Sequence, residues 1–182
     1  MPFTTAEGAF LLTAFYLRLW VENVGNTTAR QVEVYAKELR RKLADGRWQR
    51  VDAFPPMNLK WSDVGGLYFA RIAAKMGKHC DLGHIVDPAR RSVINENAAR
   101  LALNDQQTSL TFDLIAQPNH KGHIIGPGEY ELDLLVAADN ARPSSHTVTI
   151  SLPGRWYEDE TRMLRDGVGV AVKSEATFNV NY

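Results

Sequence analysis

The chain has 182 residues, 45% of them hydrophobic and 23% charged, and its 21 Lys plus Arg balance its 21 Asp plus Glu. That is enough chain to bury a real core in one domain, and the composition excludes a disordered segment, a broadly basic nucleic-acid binder and an acidic tail. The single cysteine, Cys80, excludes an intrachain disulfide and a thiolate zinc cage.

The apolar run from Ala9 to Phe15 is much shorter than the roughly 20 residues of a membrane helix, and no Lys or Arg precedes it. Neither a membrane span nor a signal peptide is expected, so the chain as written reads as cytoplasmic. From Phe15 onward the dominant period is two, the signature of strands. Phe15, Leu17, Leu19 and Val21 share one face, and Tyr16, Arg18, Trp20 and Glu22 share the other. Gly25-Asn26-Thr27-Thr28 reads as a turn, with Gly25 in a structural role. The next strand turns Val32, Val34 and Ala36 inward. Its phase then slips, because Leu39 and Leu43 have odd numbers, and this predicts a β-bulge near Lys37. Ala44-Asp45-Gly46 predicts a hairpin turn, with glycine at the positive φ position.

Residues 51–97 read as a loop-rich insertion. Pro55-Pro56 and Gly65-Gly66 interrupt it, Leu67–Ala73 is a strand candidate, and a short strand is expected over Cys80–Val86. Regular structure returns at Ala99–Leu103. A strand with Leu110, Phe112, Leu114 and Ala116 on one face follows, then a polar loop over Gln117–Gly126. Tyr130, Leu132, Leu134, Val136 and Ala138 alternate cleanly, as do Val148, Ile150 and Leu152. Glu158 to Asp166 begins acidic, ends basic and is followed by Gly167, which predicts a short helix. Val168, Val170 and Val172, then Phe178, Val180 and Tyr182, allow one or two terminal strands. Many strands with polar turns and no long helical period predict an all-β antiparallel sandwich or barrel.

Two segments carry a resemblance. Leu17 to Val34, with Val21-Glu22-Asn23-Val24-Gly25 at its turn, resembles the opening hairpin of bacterial CARDB-type immunoglobulin-like domains. Gly126-Pro127-Gly128-Glu129-Tyr130-Glu131-Leu132-Asp133-Leu134 resembles a late strand of fibronectin type III and immunoglobulin-like domains. The resemblance implies an immunoglobulin-like sandwich in which Tyr130 forms a corner, its hydroxyl bonding upstream backbone, with Gly128 in the turn and 146–152 as the last strand. It also implies a module of a mostly non-catalytic kind. The domain would span 1–182, with 154–182 as a C-terminal extension bearing the short helix.

Several side chains are candidates for chemistry. Lys78-His79-Cys80-Asp81-Leu82-Gly83-His84 offers a metal site through His79, Asp81 and His84, to which His120 and His123 could add. On a regular strand Cys80 and His84 share one face about 13 Å apart, and His79 and Asp81 share the other. The alternative is a buried structural Cys80 with histidines bonded to backbone. Trp20, Trp61 and Trp156, with Tyr157, offer a carbohydrate-stacking platform. Asp139-Asn140 and Glu158-Asp159-Glu160 offer oxygens to Ca²⁺ without EF-hand spacing. Lys37, Arg40, Arg41, Lys42, Arg47 and Arg50 concentrate positive charge on one hairpin around Trp48, either as a phosphate patch or as a solvated edge. No elbow serine, P-loop, dinucleotide fingerprint or His-Glu-x-x-His motif is present.

The expectation is therefore a non-catalytic binding or protein-interaction module with no cofactor. A protein partner or a homodimer would be its partner, and nucleic acid would not. The alternatives are a metal-binding protein or metal-dependent enzyme built on His79, Asp81 and His84, and a carbohydrate-binding module using exposed tryptophan.

Overall fold

A computed structural model describes residues 2–4, 6, 8 and 10–173. In chain order the strands are β1 (Pro2–Thr4), β2 (Phe10–Glu22), β3 (Ala29–Lys42), β4 (Trp48–Arg50), β5 (Met57–Asn58), β6 (Lys60–Trp61), β7 (Phe69–Ile72), β8 (Gly77–Val86), β9 (Leu110–Phe112), β10 (Ile124–Ile125), β11 (Gly128–Ala138), β12 (Ala141–Leu152) and β13 (Gly169–Lys173). One sheet runs β1-β2-β8-β9-β10, with β6 also pairing β8. The other runs β13-β12-β11-β3-β4, with β5 and β7 also pairing β3. Every pairing is antiparallel. The fold is all-β with a short helical segment near its C-terminal end. The strand expected from Phe178, Val180 and Tyr182 lies outside the described residues.

The two sheets bury one another's apolar faces. Phe15, Leu17, Cys80, Leu82, Ile85, Leu110 and Phe112 come from the first sheet, and Val34, Ala36, Leu39, Leu132, Leu134, Val148 and Ile150 from the second. This is the alternation read from the sequence. The phase slip in β3 is a bulge: Asp133 pairs with Glu38 and Leu134 with Ala36, so Lys37 is the extra residue and Leu39 returns to the core. Gly46 has φ +83° and its amide bonds Leu43 O at 2.9 Å, closing the β3–β4 turn.

Four expectations change. The segment from Leu17 to Val34 is not a hairpin: β2 pairs with β8, and β3 pairs with β11, so the turn carries the chain from one sheet to the other. Asn23 anchors that corner, donating to Thr27 O (2.8 Å) and Ile72 O (2.9 Å) and accepting from Gly25 N (3.1 Å). Residues 51–97 supply more than loops, because β8 is ten residues long and lies between β2 and β9 inside its sheet. The strand at 146–152 is not the last, as the resemblance implied, because the terminal strand expected from Val168, Val170 and Val172 forms as β13 and pairs with β12. Of Ala99–Leu103, expected as regular structure, Ala99–Leu101 forms a 3₁₀ turn.

Outside the main core, residues 87–109 cross the outer face of the first sheet. A satellite cluster of Leu12, Ala14 and Val86 packs beneath them with Leu11, Tyr16 and Ile94. Two 3₁₀ turns, Arg91–Ile94 and Ala99–Leu101, punctuate this segment. Buried Arg91 ties its halves together by donating to the carbonyls of Leu103, Asn104 and Gln107 at 2.7–3.0 Å. The short helix, Glu160–Arg162, is capped by Asp159, whose carboxylate accepts from Arg162 N at 2.8 Å, and continues as a π turn over Met163–Gly167. Among the described residues no helix is long and apolar enough to cross a membrane.

Candidate binding cleft and the buried histidine cluster

The outer face of β2 and β8 places Tyr16, Arg18 and Trp20 opposite His84, Asp81 and His79. Regular alternation would put His84 on the core side with Cys80. A bulge prevents this: Leu17 pairs with Gly83 and Arg18 with Asp81, so Leu82 is extra. Leu82 stays in the core and His84 turns outward. Gly83 permits the close approach there, since a Cβ would lie 2.4 Å from Thr111 O.

The three residues considered for a metal are thereby separated in role. His79 meets the Trp20 ring edge-on at 4.9 Å. Asp81 pairs with Arg18 at 3.0 Å and accepts from Ser62 Oγ at 2.6 Å. His84 is enclosed between two carboxylates, Nε2 at 2.7 Å from Glu96 Oε1 and Nδ1 at 3.0 Å from Asp113 Oδ1. Among the described residues no group of three or more His, Cys, Asp and Glu is placed to hold a metal ion. Both nitrogens of the imidazole are engaged by carboxylates.

A neutral imidazole has one N–H, so facing carboxylate oxygen at both nitrogens favours the doubly protonated ring. Burial works against that charge, but the bonds to Asp113 and Glu96 outweigh it and raise the His84 pKa to about 10. Thr111 Oγ1 completes the cluster by donating to Glu96 Oε2 at 2.8 Å. The alternative of a histidine bonded to backbone is thus corrected for His84. Neither Glu96 nor Asp113 was among the candidates, because nothing in their local sequence marks them as partners of His84.

The other histidines go elsewhere. His123 is buried, and burial, with Lys121 nearby, pushes it down to about 4, so it is neutral. His120 Nδ1 accepts from Gly122 N at 3.0 Å in the loop before β10. Cys80 is fully buried, donates to Lys60 O at 3.3 Å, and is pushed up to about 12 by burial and then by Asp81 and Asp113. A thiol held protonated inside a core is structural.

The tryptophans do not form one platform. Trp61 is fully buried and meets Phe69 edge-on at 5.5 Å, so its faces are closed to a ligand. Trp20 is 58% exposed and lies over Gly77, where a Cβ would come within 2.4 Å of the indole. Trp156 is half-buried, stacked on Phe15 at 5.2 Å and 27°. It borders two adjoining concavities. One, about 560 Å³, is walled by Asp87, Pro88, Ala89, Asp105 and Gln106 on one side and by Arg155, Tyr157 and Arg162 on the other. The second, about 390 Å³, adds Phe10, Thr13, Arg90 and Glu158. Arg162 lies 4.3 Å over the Tyr157 ring and Arg90 lies 5.6 Å over Phe10.

The remaining candidates are already engaged. Asn140 accepts from Arg30 N at 3.0 Å and donates to Thr28 O at 2.9 Å, while Asp159 caps the helix. In the basic hairpin, Arg40 bonds Asp133, Glu38 and Glu131, and holds the Asp133 carboxyl below the usual carboxylate range. Lys173 adds a bond to Glu131, and Arg47 pairs with Asp45 at 2.8 Å. Much of the hairpin's positive charge is thus matched by carboxylates. Tyr130 is buried and its hydroxyl donates to Gly126 O at 2.9 Å, while Gly128 beside it leaves room for Arg41, whose Nε would lie 3.1 Å from a Cβ there.

Comparison with protein-family models, curated proteins and solved structures finds no match.

Proposed function

We propose that this chain is a non-catalytic binding module whose ligand site is the cleft at Trp156, and that the cleft takes a neutral carbohydrate. The observation that carries this reading is Trp156 itself. One face is fixed on Phe15 in the core, while the ring borders two concavities rimmed by carboxylates, guanidinium groups and an amide. An aromatic platform accepts the apolar face of a sugar ring, and fixed donors and acceptors around it recognise hydroxyls. Asp87, Asp105 and Glu158 balance Arg90, Arg155 and Arg162, so the cleft favours neither an anion nor a cation. The two groups with catalytic potential, His84 and Cys80, are both buried and bonded to protein. The immunoglobulin-like reading of the sandwich is supported by the Tyr130 bond to upstream backbone.

The test is calorimetric titration of the full chain with neutral oligosaccharides. At least one is expected to bind, and Trp156→Ala, with its fold checked by circular dichroism, is expected to weaken that binding at least tenfold. Trp20→Ala should leave it unchanged. A full panel producing neither heat nor a change in tryptophan fluorescence overturns the carbohydrate reading.

The exposure of Trp20 supports a second reading, a protein-interaction face that includes self-association. Light scattering is expected to show a dimer that Trp20→Ala converts to monomer. A wild-type monomer across the accessible concentration range rules out the homodimer.

A further inference from the structure

One wall of the Trp156 cleft belongs to residues 87–109, which contribute no strand to either sheet. Their backbone bonds are mostly local, such as Arg90 N to Asp87 O, Val93 N to Arg90 O and Glu96 N to Arg91 O. Arg91 braces the segment internally without tying it to the sheet. Among the described residues its ties to the rest of the molecule lie toward its two ends and at Arg100. Asp87 N bonds Thr13 O, Arg90 bonds Leu11 O, Thr108 N bonds Gly154 O beside a β-bridge between Gln107 and Arg155, and Arg100 bonds the carbonyls of Lys121 and Ile124. Between them stands Glu96, 7% exposed, held by His84 and Thr111.

We propose that His84 and Glu96 form a proton-dependent latch that holds the 87–109 wall against the sheet. The consequence for ligand binding rests on the cleft reading above; the latch itself does not. His84 belongs to the sheet, and so does its second partner. Asp113 follows β9, with its amide bonded to Leu82 O and its carbonyl bonded to Lys60 N. Glu96 is the one member of the trio carried by the covering segment. When the ring loses one proton, one nitrogen presents a lone pair to a carboxylate, and the attraction at that contact becomes repulsion. Asp113 is fixed by backbone bonds to two neighbouring strands, so Glu96 is the group that leaves. Other titratable and charged groups surround the trio. Tyr16 and Arg18 belong to β2, Asp81 to β8, and His120, Lys121 and His123 to the loop before β10. His123 is neutral and Arg18 is paired with Asp81, while His84 lies within hydrogen-bonding distance of Glu96, at 2.7 Å.

Hydrogen-exchange mass spectrometry of the full chain tests this at pH 7 and pH 10.5, with labelling times scaled to equal intrinsic exchange. Peptides within 88–106 are expected to exchange at least tenfold faster at the higher pH, while peptides of β3, β11 and β12 keep their protection. In Glu96→Gln the same peptides are expected to exchange fast already at pH 7, with little further change at pH 10.5. Equal scaled exchange at both pH values in the wild type overturns the latch. Simultaneous loss of protection in every strand also overturns it, because the event is then global unfolding. The wild-type arm needs no variant to fold and no sugar to bind, so a failure of the carbohydrate reading leaves this readout intact.

Discussion

Replacing Trp61 by alanine is expected to lower the unfolding free energy by about 3–5 kcal/mol, the range for removing a large aromatic side chain from a packed core. Trp61 is fully buried, belongs to the main core and meets Phe69 edge-on. Its strand, β6, has only two residues and pairs with β8 at Asp81 and Cys80. The indole thus accounts for much of what holds that short strand in place, and the surrounding strands cannot collapse fully into the cavity left behind. Trp20→Ala is the control: an exposed ring resting on Gly77 should cost under about 1 kcal/mol. Urea unfolding followed by circular dichroism separates the two, with a large fall in midpoint at unchanged slope for Trp61→Ala. Equal midpoints for the two variants would show that Trp61 does not occupy the core.

The second large effect is a loss of stability in alkali through His84. Its pKa is raised from the ordinary 6.5 to about 10, so the folded state holds this proton more tightly than the unfolded chain. Its contribution is therefore fully present below about pH 6.5, shrinks as pH rises above that value, and is gone once pH passes about 10. The pair is buried, with His84 and Glu96 5% and 7% exposed, and disrupting such a pair costs on the order of 3–5 kcal/mol. Denaturation midpoints measured from pH 6 to pH 10.5 should fall along this course. His84→Gln should be less stable at pH 7 and lack most of the pH slope. A variant with the wild-type slope would show that other groups, such as lysines and tyrosines, carry the alkaline loss.

These two residues mark what was legible beforehand. The inward alternation of Phe15 and Leu17, of Val32, Val34 and Ala36, and of Tyr130, Leu132 and Leu134 is a local property, so it reads directly from spacing and reappears in the core. The Lys37 bulge was legible for the same reason, because a phase slip between Ala36 and Leu39 has one local remedy. The His84 bulge was not. Cys80, Leu82, His84 and Val86 satisfy a regular alternation, and only pairing with β2 reveals that Leu82 is extra. Trp61 likewise sits in a stretch broken by Pro55-Pro56 and Gly65-Gly66 that reads as loop. It is buried because β8 and the opposite sheet close over it.

The candidate site divides along the same line. Trp156 was named from composition alone, and its cleft joins Asp87, Pro88 and Ala89 of the 51–97 insertion and Arg155, Tyr157 and Arg162 of the C-terminal extension to Asp105 and Gln106 of a turn that read as an ordinary connection between strands. The partners of His84 could not be named. Glu96 is 12 residues away and Asp113 is 29, and each arrives through a different element.

A period of two determined that this is an all-β protein with its apolar residues on defined strand faces, and a single cysteine determined that no disulfide forms within the chain. Which strands pair, where the His84 register slips and which carboxylates enclose that ring were decided by the tertiary structure alone. The physical reason is range. A side chain's face depends on its immediate neighbours along a strand, whereas its partner across a sheet or beneath a covering segment depends on how distant parts of the chain share one core.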